Sequence, residues 1–221
     1  MSVDTLISNS TPPLKPGDTV EYGLGLLMEL RVRHLPVVDM NGTLVGVVSE
    51  EDMLNAPGPD ALVMTLIGGS GAPMHVDLDD HVFEITKVIM DHDLTTVPVV
   101  DASMHYIGLI RRHDLFERFA RMLATQESGA ILALEVNSRD VALSQILYLI
   151  EQNDIRVLSL ATESMPDDKI GITLKLNMRD AARVRHMLEH NGYHVVAAFG
   201  EEEDAEDLLD RVQEFMRYLE V

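Results

Sequence analysis

The sequence predicts an α+β protein made of two tandem repeats, a ferredoxin-like βαββαβ unit and a C-terminal helix. Three observations carry that prediction. Residues 1–124 repeat at a constant offset of 62 without a gap: Asp18 lands on Asp80, Val20 on Val82, Met28 on Met90, Gly46 on Gly108 and Asp52 on Asp114. Pro36-Val37-Val38-Asp39 likewise lands on Pro98-Val99-Val100-Asp101. Residues 129–200 then alternate β-rich runs with helical periodicity in the order βαββαβ, and residues 201–221 combine an acidic start with one apolar stripe. Tandem copies of one supersecondary unit pair because each alone leaves an apolar face unburied. A pair of this kind encloses two related clefts.

The elements follow in order. After the turn Lys15-Pro16-Gly17-Asp18, Thr19 is expected to cap a helix with Val20, Leu24, Leu27 and Met28 on one face. In the second copy Asp80 caps a helix carrying Val82, Ile85, Ile89 and Met90. The runs Leu35–Asp39 and Leu44–Val48 flank Asn41-Gly42 and read as a hairpin. Helices starting near Ser49 and Arg112 close the copies, and Asn55-Ala56-Pro57-Gly58-Pro59 links them. Beyond the polar linker Thr125–Gly129, Ile131–Val136 reads as a strand. Ser138 then caps a helix burying Val141, Ile146, Leu149 and Ile150. Ile155–Leu160 and Gly171–Leu176 are strands around the turn Pro166–Lys169. Asn177 and Asp180 form a capping-box start to a helix ending at Asn191-Gly192, and His194–Phe199 is the last strand. Glu201–Asp204 open a helix whose stripe Leu208, Leu209, Val212, Phe215, Met216 and Leu219 docks. The predicted domains are 1–62, 63–124, 129–200 and 201–221.

Composition narrows the function. With 221 residues and 46% hydrophobic content, the chain can bury real cores. No apolar run is long enough to span a bilayer, and nothing reads as a secretory signal, so a cytoplasmic location is expected. The absence of cysteine excludes disulfides, thiolate metal sites and a cysteine nucleophile. A net charge of −20 with 4 Lys argues against binding nucleic acid, which depends on neutralising phosphates with Lys and Arg. There is no Gly-x-Ser-x-Gly elbow, no P-loop and no Gly-x-Gly-x-x-Gly opening a helix, so no catalytic residue is assigned. Asp77-x-Asp79-Asp80 reads as a turn ahead of a helix. His186 and His190 form an i, i+4 pair, but His194 falls on the following strand, and no metal site is predicted.

The order helix, (Leu/Val)-Pro-Val-Val-Asp, hairpin, Gly and Ser-x-x-Asp resembles a tandem pair of CBS domains over residues 1–124. The resemblance implies an adenosine-containing ligand in clefts between the copies: AMP, ADP or ATP, with S-adenosylmethionine less favoured. Ser49-Glu50-Glu51-Asp52 is similar to the family's (Ser/Thr)-x-x-Asp, whose carboxylate accepts hydrogen bonds from both ribose hydroxyls. A carboxylate offers several lone pairs to two donors, which suits that task. Arg33 and His34 stand where the family places basic residues that reach phosphates, and the backbone around Leu35, Pro36 and Val37 reads the adenine edge. The second copy departs from this pattern. Arg111-Arg112-His113-Asp114 keeps the aspartate but puts Arg in place of Ser, and Thr95-Thr96 replace Arg33-His34. Arg111 and Arg112 are then candidates for phosphates in a shared cleft, with one dominant site that depends on Asp52. The plainer alternative makes Asp52 and Asp114 helix N-terminal acids that complement the macrodipole.

Residues 129–200 resemble an ACT domain, which implies amino-acid binding at a dimer interface. Ser138-Arg139-Asp140-Val141-Ala142-Leu143 keeps the Arg and Leu of the family's Asp-Arg-Pro-Gly-x-Leu pattern but has Val141 where the glycine stands. A β-branched residue blocks close approach of a ligand to the backbone, so a dimerisation role is expected instead. A CBS pair followed by an ACT domain resembles the AcuB family of acetoin-utilisation proteins and implies a link to acetoin catabolism. The expected protein is a non-enzymatic regulator sensing an adenosine nucleotide. It is a homodimer with an unidentified protein partner, and it binds neither nucleic acid nor membrane. The alternative is a structural or amino-acid-responsive adaptor with empty CBS clefts.

Overall fold

Each repeat folds as helix, antiparallel hairpin, helix. The computed structural model describes residues 3–8, 11–68, 72–139 and 142–200, and the chain divides into two compact units, 1–118 and 119–221. The first copy contributes α1 (Val20–Leu30), β1 (His34–Val38), β2 (Leu44–Ser49) and α2 (Glu50–Leu54). The second contributes β3 (Val76–Asp77), α3 (Val82–Asp91), β4 (Thr96–Val100), β5 (Tyr106–Arg111) and α4 (Arg112–Met122), inside which the boundary between the units falls.

The copies agree bond for bond. Leu35 pairs with Val48 and Val37 with Gly46 in one hairpin, and Val97 with Ile110 and Val99 with Gly108 in the other. Asp39 Oδ1 accepts from the backbone N–H of Asn41 and Thr43, as Asp101 Oδ1 does from Ser103 and His105. These backbone donors hold both carboxyls below the usual aspartate range. The two copies meet where β1 and β4 begin. Arg33 N–H donates to Thr95 Oγ1 at 2.8 Å, and Thr96 Oγ1 donates to the His34 carbonyl at 2.7 Å. Thr95 and Thr96 are the offset-62 counterparts of Arg33 and His34, so matching positions face each other across a local twofold relation.

Three expectations for this unit need correction or refinement. Thr19 does cap α1, accepting from Tyr22 N–H, but the buried face is Val20, Gly23, Leu26 and Leu27. Met28 and its counterpart Met90 are 78% and 67% exposed. Each lies eight residues past the first buried Val, about 80° around the helix at 3.6 residues per turn. Gly23 sits on the packed face instead because Met53 Cε lies 2.7 Å from where a Cβ would be. The cap of α3 is His81, whose Nδ1 accepts from Phe83 N–H, while Asp80 closes the preceding turn by accepting from Asp77 N–H.

The second unit has β6 (Ile131–Asn137), α5 (Leu143–Glu151), β7 (Val157–Met165), β8 (Lys169–Leu176), α6 (Ala181–His190) and β9 (His194–Phe199). Its antiparallel sheet runs β7-β8-β6-β9, the ferredoxin-like order, over a core including Leu132, Leu134, Ile146, Ile150, Ile172, Leu174, Val184 and Leu188. Ser138 does not cap α5, whose N-cap Ala142 makes no side-chain cap bond. Ser138 N–H donates to the Asp168 carbonyl and so continues the β6–β8 ladder. β7 runs to Met165, past the expected end at Leu160, because Asp167 and Asp168 turn the chain at φ of 60° and 58°. Asp180 caps α6 without Asn177, whose Oδ1 is taken by Arg156 N–H. Val141 and the expected helix of residues 201–221 lie outside the described residues. Among the described residues no helix is long and apolar enough to cross a membrane.

Candidate functional site

The sharpest local geometry in the first unit is the turn from β2 into α2. Ser49 is the N-cap: its Oγ accepts from Asp52 N–H at 3.0 Å, and Asp52 Oδ2 accepts from Ser49 N–H at 2.8 Å. The Ser49 hydroxyl also donates to Oδ2 at 2.6 Å. This reciprocal capping box satisfies two otherwise orphan donors and locks the carboxylate against rotation. The locked carboxylate lines a cleft of about 470 Å³. One wall comes from the first copy with His34, Val45, Gly46 and Val47. The other is built by Ile67, Gly68, Ala72, Pro73, Met74 and Leu94, all beyond the first hairpin. Gly46 is required at the floor, since Ile67 Cγ2 stands 2.8 Å from where a Cβ would be.

His34 is half-buried at the edge of this cleft. Thr95 N–H donates to its Nδ1 at 3.2 Å, which leaves the proton of the neutral ring on Nε2. Burial, then the neighbouring Arg33 charge, hold the imidazole below its usual 6.5. Asp93 and Asp52 pull the other way and Arg112 adds to the lowering. Arg33 is exposed, its Nε 3.6 Å from Glu50 Oε2. With Glu50, Glu51, His92 and Asp93 it lines a smaller cavity of about 230 Å³ that shares His34 and Ser49 with the main cleft.

The structure thus brings Ser49, Asp52 and His34 together, with Arg33 at the rim. It does not bring Pro36 there: that residue is buried in β1 and its carbonyl accepts from Leu14 N–H. Nor do Arg111 and Arg112 share this cleft. They line a separate cavity of about 480 Å³ with Leu30, Arg31, Val32, Thr95 and His113. Arg112 Nη1 bonds Asp93 Oδ1 at 2.9 Å, and Arg111 Nη2 donates to Thr11 Oγ1 at 2.7 Å. Asp114 sits in the first turn of α4. The expectation of one shared cleft is therefore corrected: Arg111 is tied to Thr11 and Arg112 to Asp93, and neither lines the cleft at Asp52. Ile67, Leu94 and Ala72–Met74 are wall residues that the sequence did not flag. The repeat offset, which sets Leu94 on Val32 and Pro73 on Thr11, was the signal for them.

In the second unit a cavity of about 570 Å³ is lined by Glu135, Asn137, Gln145, Lys169, Tyr193 and His194 among others. Lys169 pairs with Glu135, which lowers the carboxyl and raises the ammonium pKa. Among the described residues no group of three or more His, Asp or Glu is placed to hold a metal ion.

Residues 3–58 and 70–121 match the CBS domain family, so the first half of the chain is a tandem pair of CBS domains. Homoserine O-acetyltransferase of Methanocorpusculum labreanum is 26% identical over 115 residues. The match covers 52% of this chain, which spans only 23% of that enzyme's length and meets it through the CBS domains. A CBS domain pair/ACT domain protein from Thermotoga maritima superimposes with a TM-score of 0.50 at 24% identity, over 56% of this chain and 99% of its own. The structure of CBSX2, an Arabidopsis thaliana protein, in complex with AMP has a TM-score of 0.47 at 27% identity, over 54% of this chain and 96% of its own.

Proposed function

We propose that the tandem pair is a non-catalytic regulatory module that binds AMP, ADP or ATP in the cleft at Asp52. The observation that carries this is the capping box. Both of its bonds to the carboxylate converge on Oδ2, which leaves Oδ1 to accept from ribose hydroxyls at the mouth of an open cleft. The apolar walls Val45, Val47, Ile67 and Leu94 suit an adenine ring. His34 Nε2–H and Arg33, at the rim, supply donors for phosphate. The ferredoxin-like unit serves as an ACT-type dimerisation domain. The whole is an AcuB-type regulator acting on a partner protein as a homodimer.

A thermal-shift series with AMP, ADP, ATP and S-adenosylmethionine tests this. A ligand bound only to the native state at 100 times its Kd stabilises by about 2.7 kcal/mol, so a nucleotide is expected to raise the Tm by several degrees. Asp52→Ala removes that increase while the circular dichroism of the fold persists. If none of the four moves the wild-type Tm, the capping box is purely structural and the adaptor role takes its place.

A further inference from the structure

The second cleft is built from the same positions as the first, but its side chains differ. Ser49 and Pro73 both line the open first cleft. Their counterparts at the 62-residue offset are Arg111 and Thr11. In the second copy Arg111 Nη2 donates to Thr11 Oγ1 at 2.7 Å, and Thr11 is 1% exposed. The long guanidinium chain therefore spans the gap that a short serine leaves open. The strand beside it is covered as well: Leu109 exchanges both backbone hydrogen bonds with Ser8 and is fully buried, whereas its counterpart Val47 is partly exposed and lines the first cleft. The cavity that Arg111 does line includes neither Thr11 nor Asp114.

We infer that Arg111 is a tethered occupant of the second cleft and sets the capacity of the pair at one nucleotide per chain. The bond from a guanidinium to a buried hydroxyl is charge-assisted, and a ligand entering there would have to replace it. The inference rests on the assignment of the first cleft as a nucleotide site. Arg111→Ser gives the second copy the Ser-x-x-Asp spacing of Ser49 and Asp52 and removes the side chain that reaches Thr11.

Isothermal titration calorimetry with ADP decides the matter. Wild type is expected to bind one ADP per chain, lost in Asp52→Ala and kept in Asp114→Ala. Arg111→Ser is expected to bind two, the second lost when Asp114→Ala is added. One ADP in both wild type and Arg111→Ser overturns the plug and leaves the first cleft standing. None in wild type but one, dependent on Asp114, in Arg111→Ser supports the plug and overturns the first cleft. None in either overturns both, and two in wild type overturns the plug outright. Should Arg111→Ser lose its cooperative melt, Arg111→Gln, shorter and uncharged, is scored by the same counts.

Discussion

In the first copy Gly42 turns the hairpin at φ +83°, and in the second the same turn is made by Met104 at φ +63°. A non-glycine residue in the left-handed region is uncommon, so the fold holds that turn shape even where the residue disfavours it. The aspartate turns, the hairpin registers and the parallel pairing of Leu14 with Val37 and of Val76 with Val99 also coincide. At the cleft-facing positions the copies part company. Ser49 becomes Arg111, His34 becomes Thr96, and Glu50 becomes Arg112. Glu50 pairs with Arg33, whereas Arg112, with Thr95 at the position matching Arg33, pairs with Asp93. Hydrogen-bonded backbone and buried hairpin positions are constrained by packing, so they keep their pattern. Side chains facing a cavity carry no such constraint, which lets one cleft stay open while its twin is filled.

Three further measurements press on this contrast, from the largest effect to the smallest. Ser49→Ala removes an N-cap and half of a capping box, which costs about 0.5–2 kcal/mol. Urea unfolding is expected to show this as a lower midpoint at unchanged slope. The second copy has no serine to lose here, so a neutral Ser49→Ala would erase the distinction between the two helix starts.

A pH series sharpens the contrast between His34 and Thr96. His34 is held below 6.5 in the folded protein by burial and the Arg33 charge, so the unfolded chain takes up the proton first. Stability is full above about pH 7 and falls as the pH drops below 6.5, levelling off only beneath the lower folded pKa. Protonation of Nδ1 also ends its acceptance of Thr95 N–H. The groups facing the ring are Arg33, Asp52, Asp93 and Arg112. His34→Gln is expected to flatten the dependence between pH 7 and 5. An unchanged slope in that variant assigns the effect to another histidine.

The smallest effect probes what the copies share. Asp39→Ala and Asp101→Ala each remove two backbone hydrogen bonds from a surface turn. Because both carboxyls are lowered in the native state, each contributes stability present above about pH 4 and lost as the pH falls through the folded value. Calorimetric melts are expected to shift by small and equal amounts. A marked inequality would show that the turn at Met104 is bearing strain that the turn at Gly42 does not.

Much of this was readable from the chain. The 62-residue offset located both hairpins and the helices at Ser49 and Arg112, and the Asn191-Gly192 stop of α6 is where turn chemistry put it. Errors fell where two local partners compete. Asp80 and His81 are both able to cap, and the loop ahead of α3 claimed Asp80. Ser138 carries a capping hydroxyl, but its backbone is used by the sheet, and α5 begins later. Met28 and Met90 are apolar, yet an apolar residue at the edge of a helical stripe says nothing of what covers it.

The sequence by itself determined the repeat, the helix–hairpin–helix order within each copy, the βαββαβ order of the second unit, and the Ser49–Asp52 spacing that creates a reciprocal cap. All of these are local, set by turn residues, caps and periodicity within a few positions. Only the tertiary structure decided which segments wall the cleft, since Leu94 and Ala72–Met74 reach Asp52 through the pairing of the copies. It also decided the part played by Arg111. In sequence that residue is one charge of a basic cluster. Folded, it meets a buried hydroxyl 100 positions away, a contact that exists only once the copies have packed.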